Sequence, residues 1–263
     1  MTKNAQKTIG LISLLLALGA SAPALATAPT KPTPGNYDDC IALVESDPAQ
    51  ALDYAQTLET ETGGIAAMHC RGLALSALGR HDEAAALLFD LAERIPFADE
   101  GARADVYAQA ADDFLAAENM SQARIAIDHA IEHAPDEPDY HLTRARLLAL
   151  DGEWEAVRDD LSVALAENPN SAPALTLRAT ANRTLGHPQA ALVDIGHAIE
   201  LAPHSLDALL ERGRVRAAMG NVADARLDWE ALIAYAKATG RSDDPAAKAA
   251  KGYLSQSPRP ATP

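Results

Sequence analysis

His129 and His133 stand four residues apart in the stretch HAIEHAP (129–135), so on a helix their imidazoles share one face and offer a two-ligand grip on a metal ion. Asp128, Glu132 and His141 are near in sequence, but neither an HExxH nor a cysteine-rich spacing accompanies them. The stretch also returns as HAIELAP (197–203), with His197 in the place of His129, so repetition alone accounts for the recurring histidine. The favoured reading is a solvated helix face, with no metal and no cofactor expected.

The arginines form a second constellation. Arg144, Arg178 and Arg212 recur every 34 residues, and sixteen residues after each comes an acid: Asp160, Asp194 and Asp228. One period upstream Ala110 and Ala126 occupy the two places, so both partners are lost together. That joint presence and absence predicts an ion pair between two helices of one unit rather than a ladder for a bound anion. Arg71 departs from the rule, because Leu87 stands where its acid should be.

Nucleophile signatures are missing. The chain has no GxSxG, no phosphate-cradling glycine loop and no CxxC, and its acids lie on helix-forming stretches, so we expect no enzyme. Its two cysteines, Cys40 and Cys70, would close a loop of about 31 residues, worth on the order of 3 to 4 kcal/mol if bridged. Two buried free thiols are the alternative.

Compartment bears on that choice. Lys3 and Lys7 precede an apolar run from Ile9 to Leu18 and a small-residue end at Ala24-Leu25-Ala26, the layout of a secretory signal peptide (1–26) cleaved after Ala26. The run is too short to span a bilayer, so no membrane insertion is expected after cleavage. Export, with the periplasm as destination, would place both cysteines in oxidising surroundings and makes the disulfide the leading expectation. Removing 1–26 takes away two lysines and no acids, leaving 20 basic against 37 acidic side chains and a net charge of −17. A field of that sign repels phosphate backbones, so nucleic acid is excluded as the expected partner.

The elements that carry these residues follow a strict period. Pro135, Pro169 and Pro203 lie 34 residues apart, each closing a helix-like run. In register with them come the small residues Ala111, Ala145 and Ala179, then Ala123, Val157 and Ala191, then Ala130, Ala164 and Ala198. Gly72, Ala84 and Pro96 fit the frame upstream, and Gly213, Ala225, Trp229 and Leu232 fit it downstream. Gly79, Gly152, Gly186 and Gly220 fall where the first helix of a unit must stop. With only three Phe and two Trp in 263 residues, Ala-rich helix pairs packed at close range suit the composition better than one large aromatic core.

This pattern resembles the tetratricopeptide repeat (TPR) in its small residue mid-helix, its two alanines and its closing proline. The resemblance covers roughly residues 65 to 238. It departs from the family at Asn182 and Arg216, polar where an aromatic is usual, which predicts looser packing there. It implies an all-α, right-handed superhelical solenoid of antiparallel helix pairs. The expected organisation is a Pro-rich linker (27–36), a solenoid (37–254) and a disordered tail (255–263). Within the solenoid we expect an N-terminal cap (36–64), repeats at 65–103, 104–137, 138–171, 172–205 and 206–240, and a capping helix (245–254).

In this family the first helix of each unit lines a concave surface. The resemblance would place there His69, Leu73 and Ser76, then Asp105, Asp112 and Leu115, then Asp139, Leu142 and Arg146, with Thr176, Thr180, Arg183, Asp207, Leu210 and Arg214 following. The N-terminal half is acidic and the C-terminal half carries Arg146, Arg183 and Arg214, a division that would orient an extended peptide with its acidic end toward the arginines. Leu142, Arg146, Thr176, Thr180, Arg183, Leu210 and Arg214 form the expected partner-binding groove. The Lys and Asn set that clamps C-terminal carboxylates in chaperone-binding members is not present, so that specificity is not carried over. The expected function is an exported adaptor or assembly factor that binds a protein or peptide. A self-associating scaffold and a metal-binding protein or accessory subunit of an envelope enzyme complex are the alternatives; the sequence leaves partner identity and oligomeric state open.

Overall fold

Side-chain caps start many of the helices. Asp47 accepts from the backbone N–H of Gln50, Asp99 from Ala102, Asn119 from Gln122, Ser171 from Ala174 and Ser205 from Ala208, each satisfying a donor that a helix N-terminus leaves open. Pro138, Pro173 and Pro188 stand in the first turn of their helices, Pro173 in the one that Ser171 caps, where the missing N–H costs nothing.

A computed structural model describes residues 37–62, 64–96 and 99–256, Thr62 by its backbone alone. The expected signal peptide (1–26), linker (27–36) and tail beyond residue 256 lie outside the described residues. Among the described residues there are thirteen helices: α1 (Tyr37–Ser46), α2 (Pro48–Thr62), α3 (Ile65–Ala77), α4 (His81–Arg94), α5 (Glu100–Ala116), α6 (Met120–His133), α7 (Pro138–Asp151), α8 (Trp154–Glu167), α9 (Ala172–Thr184), α10 (Pro188–Leu201), α11 (Leu206–Ala218), α12 (Val222–Ala238) and α13 (Pro245–Gln256). None of them is long and apolar enough to cross a membrane.

Each helix packs on the next, and from α3 to α12 they form five pairs. α1 and α2 cap one end, α13 the other, covering apolar faces a stack would otherwise expose. α5 starts at Glu100, ahead of the boundary expected at residue 104, because Asp99 caps it there. α13 runs to Gln256, two residues into the expected tail.

One small-on-large contact recurs in register through the stack. Leu88, Ile127, Leu161, Ile195 and Trp229 are fully buried on the second helices, and the matching first-helix places hold Gly72, Ala111, Ala145, Ala179 and Gly213. Gly79, Gly152, Gly186 and Gly220 end the first helices with positive φ, and in the second unit Glu118 takes the same left-handed conformation at φ 60°.

Candidate functional site

The first helices of the third, fourth and fifth pairs enclose a recess of about 380 Å³. Arg146 of α7 and Thr176 and Thr180 of α9 line it, with Ser205 and Asp207 at the start of α11. Three of the seven expected groove residues therefore meet in one place. Both threonine hydroxyls donate to backbone carbonyls one turn back, Thr176 to Ala172 and Thr180 to Thr176, and so present methyl groups and acceptor lone pairs.

The remaining four behave differently. Leu142 is only 7% exposed, packed among Ala145, Leu175 and Ala179, so it belongs to the core rather than to a contact surface. Leu210 is half-buried beside Trp229, whose Nε1 donates to its carbonyl at 3.3 Å. Arg183 and Arg214 are not open cations. Arg183 Nε donates to Glu211 Oε1 at 2.5 Å and Arg214 Nη1 to Glu211 Oε2 at 2.9 Å, while Glu211 itself is 3% exposed. The expectation of a three-arginine anion end is corrected accordingly: a buried carboxylate between two of the guanidinium groups absorbs much of their charge.

Arg146 is exposed and, among the described residues, makes no hydrogen bond or ion pair. Its charge reaches Asp112, which holds the same place one unit earlier. Crowding by surrounding protein raises the Asp112 carboxyl, Asp113 adds to this, and Arg146 pulls the other way.

The predicted ion pairs sit behind this face. Arg144 Nη2 lies 2.6 Å from Asp160, Arg178 Nη2 2.7 Å from Asp194 and Arg212 Nη2 2.6 Å from Asp228, each acid being buried. Each acid also takes a further donor from its own unit: His141 Nδ1 at 3.2 Å to Asp160, Asn182 Nδ2 at 3.2 Å to Asp194 and Arg216 Nη1 at 2.8 Å to Asp228. Asn182 and Arg216, read from sequence as weak points, are therefore the second donors that a buried carboxylate requires. Arg71, without an acid in its own unit, finds Glu59 of α2 at 2.6 Å.

His141 has acceptors on both sides, donating from Nε2 to the Pro135 carbonyl at 2.7 Å as well as to Asp160, which suits the imidazolium. Hydrogen bonding to Asp160 raises its pKa against the opposing effect of burial. Burial presses the Asp160 carboxyl upward, and its bonds from Arg144 and His141 outweigh this and hold it below the usual range.

His129 and His133 stack on the ring of Tyr107, at centroid distances of 5.0 and 6.0 Å. Among the described residues no group of three or more His, Cys, Asp or Glu is placed to hold a metal ion. Ser76 and His81 both donate to Asp113 Oδ1, at 2.8 and 2.6 Å, an order in which the carboxylate stands between hydroxyl and imidazole. A nucleophile relay needs the imidazole in the middle. Cys40 and Cys70 form a disulfide with Cα atoms 6.2 Å apart, tying α1 to α3.

No protein-family model and no curated protein matches the sequence. Solved structures do match. The chain is similar to YrrB, described as a TPR protein with an unusual peptide-binding site, at 17% identity and TM-score 0.56, over 83% of this chain and 98% of that one. The C-terminal part of a TPR repeat-containing protein from Cytophaga hutchinsonii aligns at 13% identity and TM-score 0.63, over 84% of this chain and 95% of that one. A tetratricopeptide repeat protein from Parabacteroides merdae aligns at 13% and 0.61, over 86% and 94%. At these identities the likeness is one of architecture: the chain has the tetratricopeptide-repeat fold, an all-α solenoid of stacked helix pairs.

Proposed function

We propose that the chain is an exported, non-catalytic interaction module that holds an extended segment of another protein along its first-helix face, with a carboxylate of that segment on Arg146. The observation that carries this reading is Arg146 itself, an exposed cation that makes no hydrogen bond or ion pair among the described residues, at the edge of a recess of about 380 Å³ beside Thr176 and Thr180. Stacked helix pairs favour such a role, since they present a continuous rigid surface to a segment without structure of its own. The peptide-binding site in YrrB's description adds support from a protein of like fold. The Cys40–Cys70 bridge supports an oxidising compartment and hence export.

A photo-crosslinking residue at Thr180, with the exposed Ser162 on α8 as control, tests the reading in cells. A discrete partner captured at Thr180 alone is the expected result; equal capture at both positions removes the first-helix face as the working surface. Mature protein whose first residue is Thr27 is expected from N-terminal sequencing, and an intact Met1 removes export.

Self-association is a second reading with an observation of its own. Ile125, Val193 and Leu227 share one repeat position on the second helices and are 44%, 74% and 62% exposed. A mass that rises with concentration in light scattering, and falls to the monomer with Val193→Glu, would favour it.

A further inference from the structure

A second recess, of about 480 Å³, opens against α3 and α5 near the N-terminal cap. Ile65, Leu91, Ile95 and Val106 give it an apolar wall. Its polar groups satisfy one another: the Tyr37 hydroxyl donates to His69 Nδ1 at 2.6 Å, and His69 Nε2 donates to Gln109 Oε1 at 2.7 Å. An apolar side chain packed against these three leaves the Tyr37 hydroxyl, the His69 ring and the Gln109 carbonyl paired as they are.

One charge faces the recess, the carboxylate of Asp105, and no Lys or Arg lines it. The buried Tyr140 hydroxyl donates to its Oδ1, fixing the carboxylate from behind, and among the described residues Oδ2 carries no hydrogen bond. The place is built for a cation beside an apolar group. Resting on the segment-binding reading above, we infer that this recess is a second subsite, which takes an aromatic or aliphatic side chain flanked by Lys or Arg, the cation pairing with Asp105. The bound segment then has a fixed polarity, basic and apolar at the first two helix pairs and acidic at Arg146.

The occupant is a protein segment, because first helices line both recesses, with Asp105 of α5 at one and Arg146 of α7, opposite Asp207 of α11, at the other, and one extended chain can set a cation on Asp105 and a carboxylate on Arg146. The cap belongs to the site: Tyr37 reaches it on α1, which the disulfide holds against α3.

Random decapeptides displayed on phage and selected on the full chain test the subsite, followed by titration of the enriched peptides. The inference expects enrichment of a large apolar residue next to Lys or Arg, and roughly tenfold weaker binding with Ala66→Trp, which fills the recess from its exposed rim. Asp105→Asn, which keeps an acceptor for Tyr140, should weaken binding of the Lys peptide and leave its Lys→norleucine counterpart unchanged. Peptides that respond to Thr180→Trp but not to Ala66→Trp would overturn this subsite and leave the Arg146 reading standing. Enrichment of acid beside the apolar residue would also overturn it. Peptides indifferent to both substitutions, or no enrichment, would overturn both readings.

Discussion

Trp229 lies across Gly213: the indole occupies the space where a Cβ would stand, and its Nε1 donates to the carbonyl of Leu210. The other fully buried partners at this place are Leu88 against a glycine and Ile127, Leu161 and Ile195 against alanines, so the largest side chain faces a residue with none. Gly213→Ala should force the ring aside and cost about 1 to 3 kcal/mol. Urea unfolding followed by tryptophan fluorescence reads both the midpoint and the ring's surroundings. An unchanged midpoint would mean that α11 and α12 separate without strain.

Arg183 and Arg146 should separate under charge reversal. Arg183→Glu sets a carboxylate against the buried Glu211; complete loss of a buried partner costs about 3 to 5 kcal/mol, and Arg214 retains part of that. We expect a loss on the order of 2 kcal/mol in stability. Arg146→Glu should leave the melting curve in place and weaken binding of an acidic segment. Equal melting temperatures for the two variants would contradict the burial of the Glu211 cluster.

Stability should depend on pH through His141. Its folded pKa is raised above the unfolded value of about 6.5, so the stabilisation is fully present below that value and is lost as pH rises through the folded pKa. Asp160 acts in the opposite sense, its lowered pKa giving stability above about pH 4 that is lost in acid. Urea midpoints of wild type and His141→Gln across pH 5 to 9 should converge at the alkaline end. Parallel curves throughout would assign the bond to Asp160 no net proton uptake.

Glu118 should welcome glycine. It holds the left-handed turn that Gly79, Gly152, Gly186 and Gly220 hold in the other pairs. That conformation costs a side-chain-bearing residue about 1 to 2 kcal/mol, offset in part by the greater freedom of glycine in the unfolded chain. Glu118→Gly is therefore expected to stabilise by about 0.5 to 1 kcal/mol, read as a higher melting temperature. A lower one would show that the Glu118 side chain holds the turn by contacts of its own.

The sequence by itself determined the period, the helix pairs, the turns and the Arg144–Asp160, Arg178–Asp194 and Arg212–Asp228 pairs. All of these are written locally: capping, left-handed glycines and partners sixteen residues apart within one unit repeat each time the unit does. Only the tertiary structure decided which groove residues are open. Arg183 meets Glu211 across two units, 28 residues away, and Leu142 is buried while Thr176, in the same place one unit on, faces a recess. Asn182 and Arg216 share one repeat place, twelve residues before their acids, but His141 serves Asp160 from another place, nineteen before, so the repeat alone does not say which residue supplies the second donor. The physical reason is that contacts between units depend on how one helix pair is rotated against the next. That rotation is set by the sum of small-on-large contacts along the stack, and no single spacing in the chain encodes it.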